Sequence, residues 1–167
     1  MIKLTFYNFI VYIGITWGTN ILFNLLYVIK KYKPAYVAKD KAIDGNIMFY
    51  GNRLIGESTT LFGFIIAILA SLLVYTIFTS ISLTIIPLLV YLGHTLGSFI
   101  KRRFGLEDGK FMPFIDHGDY MITTGIILTS LGYISFKLAL AGLAFTYVFH
   151  PVACFIAFKL KLRQYPY

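Results

Sequence analysis

Five long apolar runs constrain this chain more than any other feature of its sequence. They cover approximately residues 4–29, 61–78, 83–100, 120–136 and 138–158. Each has about the length that a helix needs to cross a hydrocarbon core of about 30 Å. Charged residues make up 13% of the chain, whereas soluble domains carry about 25%, and the deficit is confined to these runs. We therefore expect residues 1–167 to form a single domain, an all-α integral membrane protein with about five transmembrane helices.

The lysines and arginines indicate how these helices are oriented. Thirteen of the 15 basic residues lie in the segments 30–60, 101–119 and 159–167. Cytoplasmic loops of membrane proteins carry such an excess of basic residues. We expect a multi-pass protein of the cell membrane with its N-terminus outside, its C-terminus cytoplasmic, and two larger cytoplasmic loops at 30–60 and 101–119.

The formal net charge of +8 has two interpretations. In a soluble protein it would suit a nucleic-acid partner. Beside apolar runs it indicates loops that face an anionic membrane leaflet. We therefore expect the bilayer, and no nucleic acid, to be the partner of these basic residues.

The carboxylates are distributed still more unevenly. All seven fall within the two expected cytoplasmic loops, and they are Asp40, Asp44, Glu57, Glu107, Asp108, Asp116 and Asp119. Chemistry that uses ionisable groups is therefore expected at the cytoplasmic surface. Within this set, Glu107 and Asp108 stand beside Gly105 and Gly109, and we interpret them mainly as turn residues.

The first loop has the composition of a phosphate-binding turn. Glycines punctuate it, and Ser58, Thr59 and Thr60 stand where the second apolar run begins. The start of a helix presents unpaired N–H groups and a partial positive charge, which suit a phosphate. The alternative is a solvated connector with juxtamembrane lysines.

The second loop combines a basic cluster with a carboxylate pair. Lys101, Arg102 and Arg103 follow directly from an apolar run, and Asp116 and Asp119 are spaced i, i+3, so a helix would carry both on one face. Two carboxylates held close together need a positive partner, and Mg²⁺ is commonly bound by carboxylates together with substrate phosphates. The sequence thus predicts a metal–phosphate site, with a simple topology anchor as the alternative for the basic cluster.

A polar stripe runs along the first apolar segment, where Thr16, Asn20 and Asn24 recur at i, i+4 and i+8. Such groups often form hydrogen bonds between packed membrane helices. The functional alternative is a polar groove that binds a lipid headgroup, for which Asn20 and Asn24 are the candidates.

The remaining ionisable side chains carry weaker signals. His117 could act as a base between the two aspartates, although a supporting role fits it better. His94 and His150 are interpreted as structural. Cys154 is the only cysteine, which excludes a disulfide framework and a Cys-rich metal site, and we interpret it as a packing residue.

Several short motifs, taken in order, resemble one known family. The segments WGTN, PAYVA, IDGN, GNRLIGES, GSFIKRR and PFIDHGDYM resemble the archaeal CDP-archaeol synthase family, small five-span membrane cytidylyltransferases that are distantly similar to the phosphatidate cytidylyltransferases. The likeness runs from residue 17 to about residue 125.

This resemblance implies a reaction and a set of site residues. CTP and 2,3-bis-geranylgeranylglycerol 1-phosphate, an isoprenoid glycerol phosphate lipid, would give CDP-archaeol and pyrophosphate with Mg²⁺. The implied catalytic residues are Lys101, Asp116 and Asp119, of which the two aspartates would hold the metal. The implied nucleotide-binding residues are Asp44, Asn46, Ser58, Thr59, Thr60, Lys101, Arg102 and Arg103.

Three rival functions belong to other classes or substrates. A transporter would place its ionisable groups near the bilayer midplane, whereas here they cluster at one face. A non-catalytic protein that binds anionic lipid needs only lysines and leaves the paired aspartates unexplained. A related cytidylyltransferase that acts on another lipid phosphate remains a closer alternative.

Overall fold

Helices make up most of the chain. The computed structural model describes residues 2–32, 41–108 and 110–162. In these ranges the helices are α1 (Phe6–Tyr32), α2 (Leu61–Phe78), α3 (Ile81–Thr84), α4 (Ile86–Arg103), α5 (Ile115–Ser130) and α6 (Phe136–Lys159). A two-stranded antiparallel hairpin, β1 (Met48–Phe49) with β2 (Asn52–Arg53), lies in the first loop.

Within the described ranges, four segments are long and apolar enough to cross a membrane. They are Phe6–Leu26, Leu61–Phe78, Ile81–Arg103 (which joins α3 to α4) and Phe136–Lys159. The prediction of a mostly helical integral membrane protein is confirmed at this level. The bounds of these four segments agree with four of the expected apolar runs to within a few residues.

Helix α5 departs from the sequence-based expectation at both ends. The apolar run suggested residues 120–136, but α5 begins at Ile115 and ends at Ser130, a length of 16 residues. The chain then turns through Gly132, whose φ of +71° is left-handed, and Ser135 caps α6 by accepting the N–H of Leu138. The helix therefore carries Asp116 within its first turn. A span defined by hydropathy alone would begin after Asp116.

The short turns between helices lie at one end of the helices, and the two larger loops lie at the opposite end. At one end, Ile2 pairs with Ile134 in the α5–α6 turn, and a small cavity beside it is lined by Ile2, Phe78 and Leu83. The N-terminus thus meets both short turns there. The two larger loops meet at the other end, where the side chain of Arg102 donates to the carbonyl of Ile55. This separation agrees with the expectation that both loops share one face.

Close backbone approach joins α4 to α5. A Cβ atom added at Gly93 would lie 2.5 Å from the Cα of Tyr120, so only glycine fits there. Small residues of this kind allow van der Waals packing between membrane helices, because lipid provides no hydrophobic drive for their association. The contact fixes the register of α5 against α4, and it is this register that positions the candidate site.

Candidate active site

Asp116 and Asp119 both lie on the face of α5 that packs against α4. Asp116 contacts Lys101 of α4, and Asp119 contacts Gly97 and His94 of the same helix. The i, i+3 spacing thus places both carboxylates along one seam, as the sequence predicted. Asp119 fills the space that a side chain at position 97 would need, since a Cβ there would lie 2.4 Å from Asp119 Oδ2.

Lys101 and Asp116 form an ion pair at the end of this seam where the two larger loops meet. Lys101 Nζ lies 2.8 Å from Asp116 Oδ1, and the two side chains are 13% and 22% exposed. The second oxygen, Asp116 Oδ2, accepts the N–H of Met112 at 2.6 Å. Both side chains therefore keep some exposed surface, and the bond from the Met112 backbone holds the Asp116 carboxylate in place.

Asp119 is the more buried carboxylate, with a side chain 10% exposed. Its Oδ1 accepts the N–H of Tyr120 at 2.6 Å, and its Oδ2 lies 3.3 Å from His94 Nδ1. His94 Nε2 is buried and has no hydrogen-bond partner among the described residues. Histidine in this arrangement orients a carboxylate through one nitrogen and leaves the other available to a further group.

The helix that carries these aspartates starts from a strained turn. Phe114 has φ +66° and ψ −48°, and the N–H of Ile115 donates to the carbonyl of Pro113 at 2.8 Å, which together define a γ-turn. The hydroxyl of Tyr147 on α6 donates to the carbonyl of Phe114 at 2.8 Å. Strain of this kind is retained where the surroundings impose it, and here it fixes the point at which α5 begins.

Arg102 and Arg103 connect the two loops, although the sequence suggested that they contact phosphate. Arg102 is 5% exposed, and its guanidinium donates to the carbonyls of Ile55 and Leu106 and to Asp108 Oδ1. Arg103 donates to the carbonyls of Phe49 and Arg53 at 2.8 and 2.6 Å. Arg102 uses three of its five N–H donors within the protein, whereas Arg103 uses two and its Nε has no hydrogen-bond partner among the described residues.

Asp108 also differs from its interpretation as a turn residue. Its Oδ2 accepts the N–H of Glu57 at 2.8 Å, and its Oδ1 pairs with Arg102 at 2.9 Å. The Ser58 hydroxyl lies 3.5 Å from the same Oδ1. Asp108 therefore joins the second loop to the first, a role that no local sequence pattern reveals.

Asp44 organises the first loop from within. Its side chain has no exposed surface and pairs with Arg53 at 2.9 Å. It also accepts the backbone N–H groups of Asn46, Ile55 and Gly56. Burial opposes ionisation, but these hydrogen bonds outweigh it and lower the pKa of Asp44 to about 2. Asp44 is thus engaged inside the protein, whereas Asn46 of the same motif is exposed.

The start of α2 is also occupied by the chain itself. The Thr60 hydroxyl accepts the N–H of Gly63, and the N–H of Leu61 donates to the carbonyl of Lys41. Thr59 is buried, and its hydroxyl donates to Ser98 Oγ at 3.4 Å. Since the spacing 94, 98 and 101 repeats one helical face, Ser98 brings Thr59 toward the face of α4 that bears His94 and Lys101.

The polar stripe of α1 packs as a seam between helices. Asn20 is buried, and its amide nitrogen lies 3.3 Å from His150 Nε2 on α6. Asn24 is exposed and donates to the side chain and carbonyl of Asn20. In this structure Asn20 therefore lies in a polar contact between two helices, as the first interpretation of the stripe expected. A lipid-binding role for Asn20 or Asn24 stays a prediction.

Three residues near the site were not identified from the sequence as functional: His94, Ser98 and Asp108. The helical spacing of His94 and Ser98 to Lys101 was the available signal. For Asp108 there was none, because the partners that make it join the two loops, Glu57 and Ser58, lie 51 and 50 positions away.

Comparisons with known proteins agree with these observations. The sequence model of the family described as CarS-like CDP-archaeol synthase matches residues 19–167. A CDP-archaeol synthase of Sulfurisphaera tokodaii is 30% identical, over 88% of this chain and 99% of the relative. One of Methanopyrus kandleri is 31% identical, over 80% and 88%.

A solved structure shares the fold. It is described as an intramembrane enzyme for archaeal membrane lipid biosynthesis, and it superposes with a TM-score of 0.58 at 23% identity over 91% of this chain and 95% of that one. The family match over nearly the whole chain, together with relatives of matching length, shows that this chain belongs to the CDP-archaeol synthase family.

Proposed function

We propose that this chain is a CTP-dependent cytidylyltransferase that forms CDP-archaeol. It would transfer CMP from CTP to 2,3-bis-geranylgeranylglycerol 1-phosphate and release pyrophosphate. Family membership supports the reaction. We place the reaction at the α4–α5 seam because Lys101, Asp116 and Asp119 converge there.

The residues of this seam fit a magnesium ion. Carboxylate oxygens are the hard ligands that Mg²⁺ prefers. Among the described residues, each oxygen of Asp116 and Asp119 accepts one hydrogen bond or ion pair, which leaves a lone pair for a metal. A bound Mg²⁺ would supply charge neutralisation for the triphosphate and polarise the phosphorus under attack. The two aspartates would hold it.

The remaining steps depend on the chain's own groups. Lys101 holds phosphate oxygens by exchanging part of its contact with Asp116, and charge stabilisation of this kind acts where negative charge develops. The lipid phosphate is largely ionised near neutral pH, so it attacks the α-phosphorus of CTP without a strong base. The P–O bond to pyrophosphate breaks as the new P–O bond forms, and no covalent enzyme intermediate is needed.

A lateral groove fits the lipid chains. It has a volume of about 620 Å³ and lies between the first loop, α2 and α4. Most of its lining is apolar, from residues such as Ile47, Phe64 and Leu88, and Tyr91 closes it beside Thr60. An isoprenoid chain in this groove would enter from the bilayer, because α2 exposes apolar side chains along much of its length.

The orientation follows from the basic residues together with the fold. We propose five spans, with α5 as a short one that Tyr147 and the γ-turn hold at the membrane surface, an external N-terminus and a cytoplasmic C-terminus. The loop end then faces the cytoplasm, where CTP is made. Support comes from the positive-inside bias and from the two loops meeting at one end.

A direct assay tests the activity. Purified full-length protein in detergent would receive radiolabelled CTP, Mg²⁺ and a panel of lipid phosphates with isoprenoid or acyl chains. Asp119→Asn and Lys101→Ala should lose most of the incorporation of label into lipid. Lys137→Ala, an exposed lysine at the opposite end, should retain it. Incorporation into acyl lipids alone would favour the related lipid cytidylyltransferase, and none into any lipid would refute the proposal.

Topology has its own test. In a Cys154→Ser background, a cysteine at Ser80 should react with an impermeant thiol reagent from outside intact cells, and one at Lys110 only after permeabilisation. Labelling of both from the same side would contradict the proposed orientation.

A further inference from the structure

Two histidines and the only cysteine converge between α5 and α6. His117 lies between the two aspartates in the sequence, yet its ring faces α6, where its Nδ1 lies 2.9 Å from His150 Nδ1. Cys154 follows His150 by one helical turn, and its Sγ lies 3.6 Å from the same His150 nitrogen. The ligand atoms of all three residues lie within 4.8 Å of one another.

We propose that His117, His150 and Cys154 form a binding site for a cation of the Zn²⁺ class, separate from the carboxylates of the α4–α5 seam. Imidazole nitrogens and a thiolate are the ligands that zinc prefers, whereas Mg²⁺ prefers oxygen. The two groups of residues therefore select different metals. The sequence excluded a Cys-rich site, but a site with one cysteine and two histidines needs the tertiary structure to be seen.

The spacing suits such a cation. With bonds of about 2.0–2.1 Å to nitrogen and about 2.3 Å to sulfur, the nitrogen–nitrogen separation of 2.9 Å corresponds to an angle of roughly 90° at the metal. The nitrogen–sulfur separation of 3.6 Å corresponds to roughly 110°. The third separation, between His117 and Cys154, is within 4.8 Å. Adjacent ligands of a four-coordinate zinc lie about 3–4 Å apart, so metal binding would require rotations of His117 and Cys154 toward each other.

The surroundings hold the ligands in position. A His150 that binds metal through Nδ1 carries its proton on Nε2 and donates it. The Asn20 amide, whose nitrogen lies 3.3 Å from Nε2, would therefore turn its oxygen toward this N–H, and histidine ligands are usually oriented through their second nitrogen in this way. The ring of Trp17 stands edge-on to His150, with centroids 6.0 Å apart, and Phe111 packs on His117 at 5.2 Å. His150 is 9% exposed and Cys154 is 4% exposed, so bulk water has little access to compete for the metal.

A bound cation would connect α5 to α6 next to the catalytic seam. His117 belongs to the first turn of α5, the same turn that carries Asp116. Metal bonds across the two helices would restrict the movement of that turn, and they would add to the hydrogen bond from Tyr147 to Phe114. The inferred role is therefore structural, and it does not depend on the proposed reaction.

Cobalt provides a direct probe of these ligands. Untagged full-length protein in detergent would be stripped with a chelator and titrated with Co²⁺, whose thiolate complexes show a charge-transfer absorption that complexes without sulfur lack. Zn²⁺ should displace this signal, and metal analysis after dialysis should give about one zinc per chain. Zinc should also raise the melting temperature, because it binds the folded state.

Variants separate the site from adventitious binding. Cys154→Ser should abolish the charge-transfer absorption, and His117→Gln, at a partly exposed position that tolerates polarity, should weaken zinc binding at least tenfold. His94→Gln removes the only histidine outside the cluster and should bind zinc normally. Absence of the sulfur signal in the wild type, or equal zinc binding in wild type, Cys154→Ser and His117→Gln, would overturn the proposal.

Discussion

Replacing Gly97 by alanine should remove activity while leaving the fold intact. The added Cβ would lie 2.4 Å from Asp119 Oδ2, 3.0 Å from its Cβ and 3.1 Å from its Cγ. Ordinary contacts begin at 3.4 Å, so the carboxylate oxygen must move by about 1 Å. Displacements of that size in catalytic sites cost about a hundredfold in rate, and this one also breaks the contact with His94.

The fold should survive because the largest displacement falls on the end of a side chain, whereas Asp119 Cβ and Cγ need to move by only a few tenths of an ångström. Alanine is favoured over glycine in a helix by about 1 kcal/mol, which offsets part of the rearrangement. Two other glycines serve as controls. At Gly18 a Cβ meets nothing within 4 Å, whereas at Gly93 it would lie 2.5 Å from the Cα of Tyr120. Gly93→Ala must separate α4 from α5, and overpacking of this kind costs about 1–3 kcal/mol.

The assay pairs CTP incorporation into lipid, measured across a Mg²⁺ titration, with thermal unfolding in detergent. Gly97→Ala should lose about a hundredfold in activity at a nearly unchanged melting temperature. Gly93→Ala should lose stability, and Gly18→Ala should change neither quantity appreciably. Full activity of Gly97→Ala at every Mg²⁺ concentration would show that the position of Asp119 does not matter to the reaction, and the proposed metal site would then be wrong.

Three further predictions concern the loops and the start of α5. The pKa of Asp44 in the folded state is about 2, against an ordinary 3.8. Its ionised form therefore stabilises the first loop fully above about pH 4, and this contribution is lost as the pH falls through about 2. Proteolysis of residues 41–60 in the wild type should increase only in that pH window, whereas in Asp44→Asn it should already be increased at neutral pH. Arg102→Lys keeps the charge, but the lysine cannot reach the three acceptors of Arg102, so the substitution should cost about 2 kcal/mol of stability. Hydrogen exchange of both loops should become faster, and unchanged exchange would contradict this prediction. Phe114→Gly should raise the melting temperature, because it relieves a φ of +66° that costs about 1–3 kcal/mol. The control is Phe104→Gly at an equally exposed position with φ −86°, which should lower the melting temperature. A lower melting temperature in both variants would argue against strain at Phe114.

Much of the candidate site follows from spacing within single helices. Residues three or four positions apart share a helical face, so the positions of Asp116 and Asp119 alone predicted that both carboxylates would face one neighbour. The same rule, applied to Lys101 and the residues before it, would have added His94 and Ser98. The start of α5 was not predictable from hydropathy, since the strained turn at Phe114 is held by a tyrosine from another helix.

The sequence by itself determined that this chain lies in a membrane and that its ionisable groups gather at one end. Both properties depend on local composition, because an apolar run must be buried in lipid wherever it packs and a charge is excluded from that environment wherever it stands. Only the tertiary structure decided which of these charges is buried against the protein and which keeps exposed surface. Arg102 lies beside Lys101 in the chain, yet it is buried against Ile55 while Lys101 stays accessible. Its acceptor Ile55 comes from a segment 47 positions away, and the register in which the two segments meet depends on how closely the helices approach one another.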